Sequence, residues 1–191
     1  MMATKLRRRG GQAVKVVVTG PFAAGKTTLI RTISEITVLS TERNITDETR
    51  SRKNETTVAM DFGRITIDRE LVLYLFGTPG QERFDFMWEI LGEGMLGYLL
   101  LVDANREDSL AEAIGIHDAF RRMARVPYVV ALNRAEAIDE VTEMRIRDAL
   151  GLDPRVTVMP CDATDKESVK AVLLALLYAV LEDVEAEPVR A

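Results

Sequence analysis

Short apolar runs alternate with stretches of helical periodicity along this chain. The runs are rich in leucine and β-branched residues, as buried strands are; they lie at 13–19, 57–67, 71–76, 98–102, 128–132 and 156–159. Between them, apolar residues recur three and four positions apart, as on one face of a helix. These stretches lie at about 25–36, 108–124 and 140–150, with a last stripe at 169–180. The alternation predicts an α/β fold, in which helices cover both faces of a mostly parallel, six-stranded sheet.

Three segments break this pattern. Residues 1–11 carry four basic residues and no acidic one, and we interpret them either as a solvated tail or as a contact with an anionic surface. Residues 41–56 contain one apolar residue, Ile45, and are predicted to be a mobile loop with a functional role. Residues 184–191 are predicted to be a polar tail. One domain therefore remains, at 12–183, and Thr164 with Glu167 predicts a capping box for its last helix.

Composition narrows the class of protein. The 191 residues are 47% hydrophobic and 29% charged, as in ordinary globular domains. The net charge is −5 although the first eleven residues are basic, which argues against nucleic acid as a partner. Cys161 is the single cysteine and fits a reducing compartment. Because no apolar stretch reaches about 18 residues, we expect a cytoplasmic protein, at most peripheral to a membrane through its partners.

The segment Gly20–Thr28 carries the clearest chemical signal. It reads GPFAAGKTT and fits the phosphate-loop pattern G-x-x-x-x-G-K-[ST] between a predicted strand and a predicted helix. Glycines let successive N–H groups point at phosphate oxygens, and the helix start adds positive potential. We expect Lys26 to reach the β- and γ-phosphates and Thr27 to hold Mg²⁺. The chain is therefore predicted to have a P-loop NTPase fold and to bind a nucleoside triphosphate, with a chance match on a Gly-rich turn as the alternative.

Two further segments, TTVAMDF and FGTPGQERF, follow the phosphate loop in the chain. With that loop, they resemble the Ras-like small GTPases over about residues 13–183. The closer resemblance is to bacterial members, the MglA type and the actinobacterial GTPases encoded in conservon operons, which are similar in having a proline in the second switch. The resemblance implies a G domain that binds GTP and GDP with Mg²⁺, hydrolyses GTP slowly and signals through loops at about 41–57 and 77–91.

The resemblance also implies roles for single residues. Gln81 would orient the attacking water, with Gly80 and Lys26 as the other catalytic residues. Thr57 would bind Mg²⁺ together with Thr27, and Thr56 competes with Thr57 for that role. The implied nucleotide contacts are Gly20, Ala23, Ala24, Gly25, Lys26, Thr27, Thr28, Thr57, Gly80, Asn133, Arg134, Glu136, Cys161 and Ala163.

Three departures from the family pattern change these expectations. Gly77 stands where the family has an aspartate that supports Mg²⁺, so we expect weaker metal binding or compensation by Asp61 or Asp103. The base-recognition loop reads NRAE, in which Glu136 keeps the carboxylate that would pair with guanine but on a longer side chain. The alternative is that this loop no longer reads the base. The last loop reads CDAT, which keeps Ala163 but lacks the usual lysine.

Partners and rival functions stay open. The resemblance implies a roadblock-domain regulator and a sensor-kinase-like protein as partners, and the apolar residues at 84–88 belong either to the core or to such a contact. An arginine that accelerates hydrolysis would come from Arg50, Arg52, Arg83 or a partner, with a solvated arginine as the favoured alternative for each of the three. His117 and Cys161 are interpreted as structural. The alternatives to a hydrolytic switch are a nucleotide-locked pseudo-GTPase without turnover and, below it, a P-loop ATPase.

Overall fold

A computed structural model describes residues 12–40, 60–67, 71–80 and 85–186 of the chain. Strands and helices alternate within them. The strands are β1 (Gln12–Thr19), β2 (Leu39–Ser40), β3 (Asp61–Thr66), β4 (Leu71–Gly77), β5 (Gly97–Asp103), β6 (Tyr128–Asn133) and β7 (Thr157–Cys161). The helices are α1 (Lys26–Ile33), α2 (Asp85–Gly92), α3 (Glu107–Met123), α4 (Glu140–Leu150) and α5 (Lys166–Ala186).

The strands form one sheet in the order β2-β3-β4-β1-β5-β6-β7. The five strands from β4 to β7 in this order are parallel, whereas β3 runs antiparallel to β4 and β2. The predicted fold class, a mostly parallel α/β sheet of the P-loop NTPase type, is confirmed. Six of the strands are those expected, and the seventh is β2, whose two residues are too few to show a period in the sequence.

Two apolar layers pack on the two faces of the sheet. Val16 and Val18 of β1 face the layer that contains α1 and α5, whereas Val17 faces the layer that contains α2, α3 and α4. This alternation follows from the period of two along a strand. Because both faces are covered, every residue of β5 is buried. Such a sheet leaves the ends of its strands as the places where a polar ligand can bind.

Three features predicted for the helix ends differ from the structure. Helix α1 ends at Ile33 rather than near 36, because the Ser34 hydroxyl accepts hydrogen bonds from the backbone N–H groups of Ile36 and Arg64. The capping box predicted for α5 does not form. Asp165 instead accepts from Ser168 N at 2.7 Å, while the Thr164 hydroxyl donates to Asp162. Helix α5 also continues past 183 to Ala186, into the predicted tail.

The carboxyl ends of the parallel strands meet at one edge of the sheet. The connections that leave this edge include 20–25 after β1, 78–80 after β4, 104–106 after β5, 134–139 after β6 and 162–165 after β7. The basic tail 1–11, the loop 41–56 and the residues 81–84 lie outside the described part of the chain. Within the described part, no helix combines the length and apolar character that a membrane crossing requires.

Candidate nucleotide-binding site

The phosphate loop connects β1 to α1, and its lysine is buried beneath it. The Lys26 ammonium donates hydrogen bonds to the carbonyl oxygens of Gly20 at 2.7 Å and Pro21 at 2.6 Å. These bonds hold a positive charge at the centre of the loop, at the N-terminus of α1. A cation and a helix start that point at the same place form an anion-binding site.

Backbone strain is concentrated on two loops of this edge. Among the described residues, the non-glycine residues with positive φ are Ala23 at 61° and Arg134 at 67°. Ala23 lies in the phosphate loop, and Arg134 follows β6. Such conformations cost of order 1–3 kcal/mol and persist where the surrounding structure imposes them, which is most often at functional sites.

Neighbouring segments hold the phosphate loop from outside. Gly80 packs so closely on it that a Cβ atom at this position would lie 2.4 Å from Phe22 N. The Arg106 guanidinium donates to Phe22 O at 2.6 Å and forms an ion pair with Glu112. The Thr78 hydroxyl donates to Thr19 at 2.9 Å. The loop is therefore fixed by the segment after β4 and by the start of α3.

Thr27 lies beside a carboxylate. Its hydroxyl donates to Asp61 Oδ2 at 2.5 Å, across from α1 to the first residue of β3. Hydroxyl and carboxylate oxygens are ligands that Mg²⁺ prefers. The pair thus fits a divalent cation at the phosphate loop. Asp103, the other acid considered for this purpose, pairs instead with Arg134 and accepts from Asn105 N.

Asn133 joins the phosphate loop to the loops after β6 and β7. Its amide nitrogen donates to Ala24 O at 2.9 Å, and its amide oxygen accepts from Ala163 N and Arg134 N, both at 3.0 Å. A second tie runs from the Thr32 hydroxyl to Ala163 O at 2.7 Å. Asn133 therefore acts as a buried bracket within the site, and the N–H of Ala163 donates to it.

A cavity of about 560 Å³ opens beside this bracket, after β6 and β7. Arg134, Glu136, Asp162 and Cys161 are among its lining residues. The carboxylate of Glu136 is exposed, and the Arg134 guanidinium is held by Asp103. Burial raises the pKa of the Cys161 thiol to about 11, so this residue is an unreactive neutral thiol near neutral pH.

The structure thus brings most of the predicted contact residues to one edge of the sheet. The phosphate side of the site consists of Gly20 to Thr28 together with Gly80. The base side consists of Asn133 to Glu136 together with Cys161 and Ala163. Thr57, Gln81 and the arginines proposed as accelerators lie outside the described residues and stay predictions. Arg106 was missed, although its position three residues after the end of β5 and directly before α3 is a sequence signal for a site residue.

The model of a protein family described as "Conserved hypothetical ATP binding protein" matches residues 18–183 of this chain. That range covers the phosphate loop and every later strand. The chain belongs to this ATP-binding protein family. An uncharacterized protein of Methanocaldococcus jannaschii is 32% identical over 131 residues, which are 66% of this chain and 73% of that relative. The family membership makes this a nucleotide-binding protein with a P-loop-type fold.

The predicted membership of the Ras-like small GTPases, of the MglA or conservon type, is wrong. The family that matches nearly the whole chain is the ATP-binding family, and the archaeal relative is likewise not described as a small GTPase. The motifs behind the resemblance explain the error. A phosphate loop and a Gly/Pro loop after β4 serve phosphate binding in many P-loop proteins, whereas Gly77, NRAE and CDAT, which distinguish this chain, departed from the small-GTPase pattern.

Proposed function

We propose that this protein binds a nucleoside triphosphate together with Mg²⁺, hydrolyses it slowly and uses the bound state as a signal. The observation that supports the proposal most directly is the position of the Lys26 side chain. Its ammonium donates to two carbonyl oxygens of the loop, Gly20 O and Pro21 O, and so is aimed at the loop's interior. A triphosphate would place its β- and γ-phosphates where this charge and the N-terminus of α1 coincide.

Oxygen ligands for the metal are available beside the phosphates. Thr27 would contribute its hydroxyl oxygen, and Thr57 stays the predicted second ligand. Mg²⁺ bound by these oxygens would neutralise charge on the phosphates. The attacking nucleophile would be a water molecule, and the protein would contribute position and electrostatics. We therefore expect slow hydrolysis, in which Gly80 N–H meets the γ-phosphate and Gln81 orients the water.

A route from the site to the surface supports the signalling part of the proposal. The Trp88 indole of α2 donates to Pro79 O at 3.0 Å, directly before Gly80. Movement of Gly80 on the phosphate loop would therefore be passed to α2. The same helix presents Phe86, 50% exposed, and Ile90, 63% exposed. Exposed apolar side chains of this size suit a protein partner, and a roadblock-domain regulator stays a prediction for it.

For the base, the chemistry of the cavity favours guanine. The Glu136 carboxylate lies on its wall and can accept hydrogen bonds only. Guanine offers two adjacent N–H donors on its recognition edge, whereas adenine presents a ring nitrogen acceptor there, which a carboxylate repels. The expected preference is about one decade, since one charged hydrogen bond contributes about 1.5–3 kcal/mol at its best geometry.

Adenine is the second candidate, and two observations favour it. The matching family is described as ATP binding. In addition, Glu136 is exposed rather than fixed by a described hydrogen bond, so it can turn away from the base. In that case the cavity would hold an adenine by stacking and shape alone.

The test is a set of titrations with GTP and ATP in Mg²⁺, read by the emission of Trp88, the single tryptophan of the chain. We expect GTP to bind at least about tenfold tighter than ATP, and Glu136→Gln to remove most of that difference. Glu140→Gln is the matched control, because Glu140 is exposed on α4 outside the cavity. Release of phosphate in a single turnover, compared with Gln81→Leu, measures the hydrolysis.

Each outcome decides between the candidates. Tighter binding of ATP would transfer the proposal to an ATP switch and assign no role to Glu136. Binding of either triphosphate without phosphate release, in both wild type and Gln81→Leu, would leave a nucleotide-locked binding module. Binding of neither would contradict the proposed function as a whole.

A further inference from the structure

Position 77 faces a carboxylate of the neighbouring strand. Gly77 ends β4, and its partner in the antiparallel pair with β3 is Asp61. A Cβ atom added to Gly77 would lie 3.0 Å from the Cβ atom and 3.3 Å from Oδ2 of Asp61. An aspartate at 77 would therefore compete with Asp61 for the same space and add a like charge beside it. The two positions can supply one acid between them.

The acid present is aimed at the phosphate loop. Asp61 accepts a hydrogen bond from the Thr27 hydroxyl at 2.5 Å and is only 9% exposed. A hydroxyl that donates its proton to a carboxylate keeps its oxygen lone pairs for a cation. We infer that Asp61 supports the Mg²⁺ of the bound nucleotide from β3, in place of an acid at position 77, and that it acts as a positioning residue for Thr27 and the metal.

Two further features agree with this assignment. A buried carboxylate is costly unless a positive charge balances it, and no ion pair within the described residues includes Asp61. The strand that carries Asp61 is also tied to the segment directly after α1, where Glu35 N donates to Arg64 O at 2.8 Å and Arg64 N donates to the Ser34 hydroxyl at 3.2 Å. The distance between Thr27 and Asp61 is therefore fixed by the packing of β3 on α1 rather than by their own bond.

The inference rests on the proposed function, and its test measures the metal rather than turnover. Mg²⁺ would be titrated into the protein with the tighter-binding triphosphate at saturation, with Trp88 emission as the readout and Mn²⁺ as a paramagnetic probe in parallel. Asp61→Asn keeps the shape and can still accept from Thr27. We expect it to weaken the apparent Mg²⁺ affinity by about 10- to 100-fold. Triphosphate binding in EDTA should stay unchanged or become tighter, because a negative charge near the phosphates is removed.

A strand exchange makes the test independent of damage to the fold. In the double variant Asp61→Gly/Gly77→Asp the carboxylate returns from the other strand, and only the side-chain end of Ile30, 2.9 Å from the new Cβ position, has to shift. We expect this variant to recover Mg²⁺ affinity to within about tenfold of wild type. Glu35→Gln is the matched control, since Glu35 accepts the Thr66 hydroxyl proton at 2.8 Å near the far end of β3. It should leave the Mg²⁺ affinity unchanged.

The outcomes separate this inference from the proposed function. Normal Mg²⁺ affinity in Asp61→Asn, with Mg²⁺-dependent triphosphate binding in wild type, would overturn the inference alone. An equal loss with and without Mg²⁺ would assign Asp61 a purely structural role and also overturn it. If the wild-type protein bound triphosphate equally well with and without Mg²⁺, or did not bind it at all, both the inference and the proposed function would be overturned.

Discussion

The phosphate side and the base side of the site are built in different ways. On the phosphate side, consecutive residues between Gly20 and Thr28 form the loop. The buried Lys26 ammonium donates hydrogen bonds to carbonyl oxygens of that loop. On the base side, two separate segments contribute, one after β6 and one after β7, and the residues that would touch a base, Arg134 and Glu136, are exposed. The phosphate side is thus fixed by backbone and packing, whereas the base side depends on side chains that can be replaced without disturbing the fold.

From this contrast we expect the site to bind the phosphates of a nucleotide more strongly than it discriminates between bases. Phosphates are common to all nucleotides, and the group that would bind them is a buried lysine at a helix start. Selectivity instead requires a polar group held in one geometry against the base. Arg134 forms an ion pair with Asp103, whereas no described hydrogen bond fixes Glu136 in one geometry.

The largest effect should come from removing the buried charge. Lys26→Ala should weaken triphosphate binding by about a thousandfold, because two charge-assisted contacts of about 2 kcal/mol each are lost. Titration with Trp88 emission measures it, and thermal unfolding checks the loss of the two bonds to the loop carbonyls. Lys170→Ala is the control, since Lys170 forms an exposed pair with Glu167 on α5. A loss below about tenfold would mean that the phosphates do not lie on this loop.

Next in size is the bracket that joins the two sides. Asn133→Ala removes hydrogen bonds to Ala24, Ala163 and Arg134 and should lower the free energy of unfolding by about 2–3 kcal/mol. Because the bracket holds the phosphate loop as well, binding of both GTP and ATP should weaken together. Denaturant unfolding and titration measure the two quantities, with Glu140→Gln, exposed on α4 and outside the cavity, as control. A change in base preference alone would contradict the role of Asn133 as a bracket.

The same contrast decides what the sequence could predict. The phosphate loop is local, so its glycines, Lys26 and Thr27 identified it before any fold was known. The contact between Thr27 and Asp61 depends on the register of β3 on β4, which no local sequence pattern specifies. From the sequence, Asp61 and Asp103 were therefore equal candidates for the acid that supports Mg²⁺. The family assignment failed because it rested on the phosphate loop and the loop after β4, although NRAE and CDAT on the base side already departed from the small-GTPase pattern. Helix ends were off by a few residues where Ser34 and Asp165 compete for backbone groups.

A smaller effect, on the pH dependence of stability, is expected from a residue that is remote from both sides of the site. His117, the single histidine, is buried in α3 beside Tyr98, and burial lowers its pKa to about 4. The unfolded chain therefore binds a proton near pH 6.5 that the folded chain does not bind until about pH 4. The free energy of unfolding therefore falls as the pH drops below about 6.5. Through His117 alone it should fall by about 2 kcal/mol between pH 7 and pH 5.

Denaturant unfolding at pH 7 and pH 5 measures this loss, and His117→Gln should reduce it while keeping a polar partner for Tyr98. The ratio of GTP to ATP affinity should not follow the titration of His117. A stability difference between the two pH values that is equal in wild type and His117→Gln would assign it to other groups.

The most direct single measurement compares GTP, GDP and GMP binding to the wild-type protein in Mg²⁺. If the phosphate loop supplies most of the binding energy, affinity should fall at each removal of a phosphate, with GMP weaker than GTP by more than about two decades. Similar affinities for all three would contradict this, because the base and ribose would then carry the interaction and Lys26 would have no part in it.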